Sequence, residues 1–158
     1  MRNKKQHKPE RGWHFCGPTL RDGRPVPDEG VWLEHEGKIL MCSAGLHGSR
    51  TPFDALQYAP GATLCYCEFE GIEQGDKDKF VARRRKIIAK RDATEALRYF
   101  ARMQALSVIH LWDAPDIVCD FLATGDEDIR DAAWAAARAA ARASLNEFIY
   151  KCFEDVLP

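Results

Sequence analysis

The most regular pattern in the chain runs through "ATLCYCEFEG" (62–71). Leu64, Tyr66, Glu68 and Glu70 fall on one side, and Cys65, Cys67 and Phe69 on the other. Alternation of this kind predicts a strand with at least one apolar face. Upstream, "GWHFCG" (12–17) is short and aromatic and reads as a second strand. "PTLRDGRPVPDEG" (18–30) holds three prolines and two glycines and reads as a loop. "VWLEHEGKILMC" (31–42) predicts two strands joined at Glu36-Gly37, a hairpin. In "SRTPFDALQY" (49–58), Thr51 can cap a short helix, Pro52 suits its first position and Asp54 sits three residues after the cap. Pro60-Gly61 ends it. "IEQGDKD" (72–78) is expected to turn. "KFVARRRKIIAK" (79–90) is compatible with a strand, and its charge places it at an exposed or edge position.

At Asp92 the period changes from two to that of a helix. Asp92 can cap, with Glu95 three residues on, and Ala93, Leu97, Phe100, Met103 and Ile109 fall on one stripe. "APDIVCDFLATG" (114–125) predicts a shorter helix between Pro115 and Gly125. "DEDIRDAAWAAARAAARASLNEFIYKCFEDVL" (126–157) predicts a long third one, with Asp126, Glu127 and Asp128 at the positive end of its dipole. Trp134, Phe148 and Phe153 are expected to bury against Leu97, Phe100 and Ile109. Arg138 and Arg142, four apart, read as a solvated face.

Strands first and helices afterwards indicate an α+β fold: a mainly antiparallel sheet with one short helix, then a three-helix unit. The expected organisation is a disordered basic tail over 1–10, a strand-rich part over 11–91, and a helical part over 92–158 packed on it as one compact domain. With 158 residues and 46% apolar content, a packed core is expected. The net charge of −1 points to neither nucleic acid nor membrane. No apolar run reaches a membrane span, and the basic N-terminus has no apolar stretch of a secretory signal, so a cytoplasmic protein is expected. The six cysteines (16, 42, 65, 67, 119 and 152) form no CxxC pair and read as small buried hydrophobes, without a metal site.

One segment stands apart: "AGLHGSRTPFDALQYAPGATLCYCEFEG" (44–71). Together with "GWHFC", which puts His14 on the first strand, it resembles the ADP-ribosyltransferase superfamily over residues 12–90. In "GLH...PFDAL.Y" it is similar to an uncharacterised domain family found mainly in phages and bacteria, and the Ala/Arg/Trp-rich C-terminal helix is similar to helices of phage-encoded proteins. The resemblance implies that His14 contacts a nicotinamide ribose or a phosphate, that His47 stands at the stacking position, and that Gly45 and Tyr58 complete an NAD-binding segment. It also calls for an acid to stabilise an oxocarbenium ion. Asp78 is nearest the place of that catalytic acid, with Asp76 behind it, in a stretch otherwise dominated by Lys and Arg.

Three functions follow as expectations. The first is a phage-type accessory protein, on a degenerate ADP-ribosyltransferase-like scaffold, that binds a host protein without a cofactor and contacts it through Arg83, Arg84, Arg85 and Lys86. The second is an active NAD-dependent ADP-ribosyltransferase or other NAD-binding enzyme. The third is a nucleic-acid binder using Arg83 to Lys86 with Lys90 and Arg91, helped by a basic arm of Arg2, Lys4, Lys5, Lys8 and Arg11. Alternation puts Arg83 and Arg85 on one face of their strand and Arg84 on the other.

Overall fold

A computed structural model describes residues 9–153. Residues 1–8 of the tail expected over 1–10, and the last five residues, lie outside the described residues. The chain divides into two compact units, Met1–Thr94 and Glu95–Pro158.

The first unit is a sheet of five strands, all paired antiparallel. They are β1 (Glu10–Cys16), β2 (Trp32–Glu34), β3 (Leu46–Gly48), β4 (Thr63–Gly75) and β5 (Phe80–Asp92). The short helix α1 (Pro52–Leu56) lies between β3 and β4. Thr51 caps it as the sequence indicates, its hydroxyl accepting from the Asp54 N–H at 3.1 Å.

Three expectations are corrected. First, the basic segment is not an edge strand. β5 has β4 along one side and β2 and β3 along the other, and Phe80, Val81, Ala82, Arg85 and Ile87 on it are buried. A basic strand can take a central place because its neighbours are acidic in register. Lys86 lies opposite Glu68, and Arg84 lies opposite both Glu70 and Glu34. Second, 31–42 is no hairpin. β2 pairs with β5, while Leu40 and Ala44 exchange backbone hydrogen bonds that fold 38–44 into a tight turn, with Cys42 at φ 64°. Third, β4 runs on to Gly75, because β5 supplies partners along its length through two irregularities. The turn contracts to 76–79, where the Asp76 N–H donates to the Lys79 carbonyl at 2.7 Å. The first strand also begins earlier than expected, at Glu10.

The sheet closes on itself at one end. β3 pairs with β5, and just beyond β3 the Ser49 and Trp13 backbones exchange hydrogen bonds of 2.8 and 2.9 Å, returning the ladder to β1. Inside the closure Phe69 and Phe80 meet edge to face at 4.8 Å. Gly48 leaves room for them: a Cβ there would lie 2.3 Å from Phe69 Cζ. The core is completed by Cys16, Cys65, Cys67, Ala82 and Ile87.

The second unit is helical: α2 (Thr94–Ser107), a 3₁₀ turn at Ile109–Leu111, α3 (Asp116–Thr124) and α4 (Arg130–Cys152). Asp92 accepts from the Thr94 N–H at 2.9 Å at the start of α2. Gly125 ends α3 in the left-handed conformation with φ 70°, as its position in the sequence indicates. The expected burial of Trp134, Phe148 and Phe153 is overturned: they are 57%, 63% and 50% exposed. Val118 and Ala133 are the buried residues of α3 and α4. Alanine lets helices approach closely, so the pair packs through small side chains and the aromatic rings stay outside. From residue 141 to 153 every position of the chain is exposed.

Candidate functional site

β1 carries His14 and Cys16 two residues apart, so both point to the same face of the sheet. Directly across from His14 stands Cys65 on β4. The Cys16 and Cys65 sulfurs are 3.3 Å apart, within hydrogen-bond range. Arg85 on β5 reaches the same region. It is only 5% exposed, and its Nη1 donates to the His47 carbonyl at 3.1 Å. No carboxylate among the described residues forms an ion pair with it. A guanidinium this deep costs free energy unless its charge is answered nearby.

His14, Cys16, His47 and Arg85 line a cavity of about 650 Å³, with Cys65 buried behind Cys16. Leu20, Leu33, Leu46 and Ala55 supply apolar lining; His14, His47, Arg85, Lys79 and Tyr58 supply polar groups. The size and the mix suit a small-molecule site. Gly45 lies in the wall at φ 115°, where a Cβ would strike Val81 Cγ2 at 2.4 Å, so the chain bends there only without a side chain.

His47 belongs to its own turn. Its Nε2 accepts from the Cys42 N–H at 3.0 Å, which fixes the strained Cys42 backbone. Burial lowers the His47 pKa, a hydrogen bond to the Gly45 backbone opposes the shift, and Arg85 adds to it. His14 is lowered too, first by burial and then by Arg85. Both imidazoles are therefore neutral at pH 7.

The thiols separate in the opposite sense. The hydrogen bond from Cys65 holds Cys16 well below the ordinary thiol range, against burial, and His14 and Arg85 push the same way. Cys65 is driven up by that same bond and by burial. Cys67 is pushed up to about 12 by burial. Either sulfur can donate in the S···S contact, and the neighbouring His14 and Arg85 favour Cys16 as its acceptor.

At the mouth, Tyr58 donates its hydroxyl to Asp78, and Lys79 lies 4.4 Å over the Tyr58 ring. The hydrogen bond from Tyr58 lowers the Asp78 pKa, so this carboxylate is ionised. Hydrogen bonds to the Cys42 thiol and Tyr58 raise the Lys79 pKa. Asp78 itself is outside the cavity lining.

The structure therefore brings His14, Gly45, His47 and Tyr58 to one concavity, with Asp78 at its rim. It disperses the basic run. Arg83 pairs with Glu73, Arg84 with Glu34 and Glu70, and Lys86 with Glu68 at 2.6 Å, while Arg85 is turned into the cavity. Arg84 and Lys86 also stack on Trp32, at 4.4 and 4.8 Å. Arg83 and Arg85, two apart on one strand, end in different surroundings. Sequence reasoning missed Cys16, Cys65 and Lys79 as site groups and assigned Arg85 to a partner-binding surface rather than to the cavity. The signal for the first two was present in the alternation, which puts Cys16 in phase with His14 and Cys65 in phase with Cys67. Among the described residues no three His, Cys, Asp or Glu side chains are grouped to hold a metal, and no helix is long and apolar enough to cross a membrane.

Comparison with known proteins finds no matching curated protein and no matching solved structure. A family profile described as a domain of unknown function, DUF7666, matches residues 10–99. The match begins with β1 and ends in the second turn of α2, so it takes in all five strands and every residue of the cavity. The chain belongs to the DUF7666 family.

Proposed function

We propose that this domain binds a small anionic ligand of the nucleotide class in the cavity beside β1 and β3. The observation that carries the reading is Arg85, a buried cation on the cavity wall with no carboxylate partner among the described residues. Lys79 and Arg21 add positive charge to the lining, and the His47 ring supplies a planar surface. The resemblance to ADP-ribosyltransferases favours NAD or ADP-ribose as that ligand, with His14 and Arg85 toward its phosphates or ribose. Binding without turnover fits best, because Asp78 is tied to Tyr58 outside the lining. The test is thermal denaturation of the full chain with NAD, ADP-ribose or inorganic phosphate. Ligand at a hundredfold excess over its dissociation constant adds about 2.7 kcal/mol of stability. A nucleotide should raise the melting temperature, and Arg21→Ala, an exposed change, should weaken that rise. No rise with any of the three ligands overturns the proposal. Release of nicotinamide from NAD would convert it into the enzymatic reading.

A second reading keeps the phage-type accessory role, in which the chain acts in the host cytoplasm by binding a host protein. It is favoured by the exposed Leu145, Phe148, Ile149, Tyr150 and Phe153 of the C-terminal region, a concentration of apolar surface that monomers rarely leave bare. Nucleic-acid binding is less favoured, because Arg83, Arg84 and Lys86 each already face a carboxylate.

A further inference from the structure

We infer that Cys16 is a peroxide-reactive thiol and Cys65 its resolving partner, so that a small hydroperoxide entering the cavity is reduced while the two cysteines close an intramolecular disulfide. The inference does not depend on which ligand the cavity takes.

Four observations support it. The two sulfurs are 3.3 Å apart and need only close to the roughly 2.05 Å of a disulfide. They sit on adjacent strands of the most continuous part of the sheet, so the approach is fixed by the β1–β4 ladder rather than by a loop. Cys16 is 3% exposed yet lines the cavity, so a small oxidant can reach it through the cavity while a protein cannot. His14 and Arg85 stand beside Cys16 as hydrogen-bond partner and fixed positive charge, which favour its thiolate, and Cys16 lines the cavity whereas Cys65 behind it has no exposed surface. That asymmetry is the division of labour an attacking and a resolving cysteine need.

The chemistry balances. The Cys16 thiolate attacks the distal oxygen of the hydroperoxide, the O–O bond breaks, and the alkoxide or hydroxide leaves and takes a proton from water. Cys16 is now a sulfenic acid. Cys65 then attacks that sulfur; the S–O bond breaks, and the departing hydroxide leaves with the Cys65 proton as water. Two thiols are oxidised to one disulfide, and one hydroperoxide is reduced to an alcohol and water, or to two waters from hydrogen peroxide. An anion held at Arg85 would compete with the thiolate for the same positive charge and slow the first step.

Cys42, Cys119 and Cys152 are internal controls, since Cys42 and Cys152 are exposed and all three lack a thiol neighbour in the structure. The reduced full chain is treated with one equivalent of hydrogen peroxide, its free thiols are blocked after denaturation, and its peptides are mapped by mass. The expected result is a Cys16–Cys65 linked peptide, short of two hydrogens, formed roughly tenfold or more faster than any oxidation at the three controls. A lowered thiol pKa gives a margin of about that size over an ordinary thiol at neutral pH. Cys65→Ser should stop at a dimedone-reactive sulfenic acid on Cys16, and Cys16→Ser should abolish fast peroxide consumption. Oxidation of the controls first, with Cys16 and Cys65 still reduced, overturns the inference. The wild-type map alone decides it, so a poorly folding variant does not leave it open.

Discussion

The two units bury their side chains in opposite ways. In the sheet unit large side chains fill the core: Phe69, Phe80 and Val81 are at most 1% exposed, beside two cysteines with none of their surface in water. In the helical unit the reverse holds. Ala133 is the buried residue of α4, while Trp134 next to it is more than half exposed. Burial of large apolar groups supplies most folding free energy, at about 25 cal/mol per Å². The sheet unit therefore has a core able to hold a buried arginine and a cavity in place. The helical unit rests on helix propensity, capping and close backbone approach, and its rings remain available for contact.

The largest expected effect tests the first half of this contrast. Phe69→Ala removes a ring that contacts Phe80 inside the sheet closure and should destabilise the sheet unit by ~3–5 kcal/mol. Amide hydrogen exchange should show protection lost across β4 and β5 with α4 unchanged. Loss in both units together would mean that they unfold as one. Gly48→Ala should follow, at ~1–3 kcal/mol, because the added methyl meets Phe69 Cζ at 2.3 Å and the ring cannot retreat from a full core. A shift in the denaturation midpoint of less than about 0.5 kcal/mol would show that the closure at Ser49 is loose.

How much of this was legible depended on whether a residue's environment was local. The caps at Thr51 and Gly125 were, because a cap needs only its own helix. So was the alternation of β4, since one side of it is core. β5 was misjudged because three consecutive arginines look solvated until their partners are known. Arg83 pairs with Glu73 of β4 and Arg84 with Glu70 of β4 and Glu34 of β2, while Arg85 turns into the cavity. Alternating glutamates on β4 were the available hint. Arg85 could not be separated from Arg83 and Arg84 by pattern, since only the return of 46–49 to β5 and β1 creates the cavity into which it turns. His14 and His47 were found as types without their neighbours: the thiol pair that gives His14 its chemistry is cross-strand.

The pH dependence of stability should follow the sheet unit. His14 and His47 have folded-state pKa values below the ordinary 6.5, chiefly from burial, with Arg85 contributing to both. The groups facing His14 are Arg85, Cys16, Cys65 and His47, none of them a carboxylate that would favour the imidazolium. The folded state thus binds fewer protons than the unfolded state once the pH drops below 6.5. The stabilisation is complete above pH 6.5 and declines as the pH falls from there toward the lower folded values. Denaturation midpoints should fall more steeply below pH 6.5 than above it, where the lowered Cys16 pKa already gives a slope. His14→Gln should flatten the decline, and an unchanged slope in that variant would place the titrating group elsewhere.

The smallest effect tests the second half of the contrast, and it runs against what the sequence pattern indicates. Trp134 is the bulkiest residue of α4 and, with its burial taken for granted, would be its anchor. It is instead 57% exposed, with the Arg138 guanidinium 5.5 Å over its ring. Trp134→Ala removes a surface contact and gains helix propensity, so the change in stability should be within about 0.5 kcal/mol. Its neighbour should behave otherwise. Ala133→Leu forces three further carbons into the α3–α4 contact, where the helices are close because alanine is small, and should cost ~1–3 kcal/mol. The measurement is the denaturation midpoint of both variants, with exchange protection in α3 and α4 to locate the change. If Trp134→Ala proves the more damaging of the two, the ring is buried in solution by a contact outside this chain's own fold, and a concentration-dependent midpoint would identify that contact as a second copy.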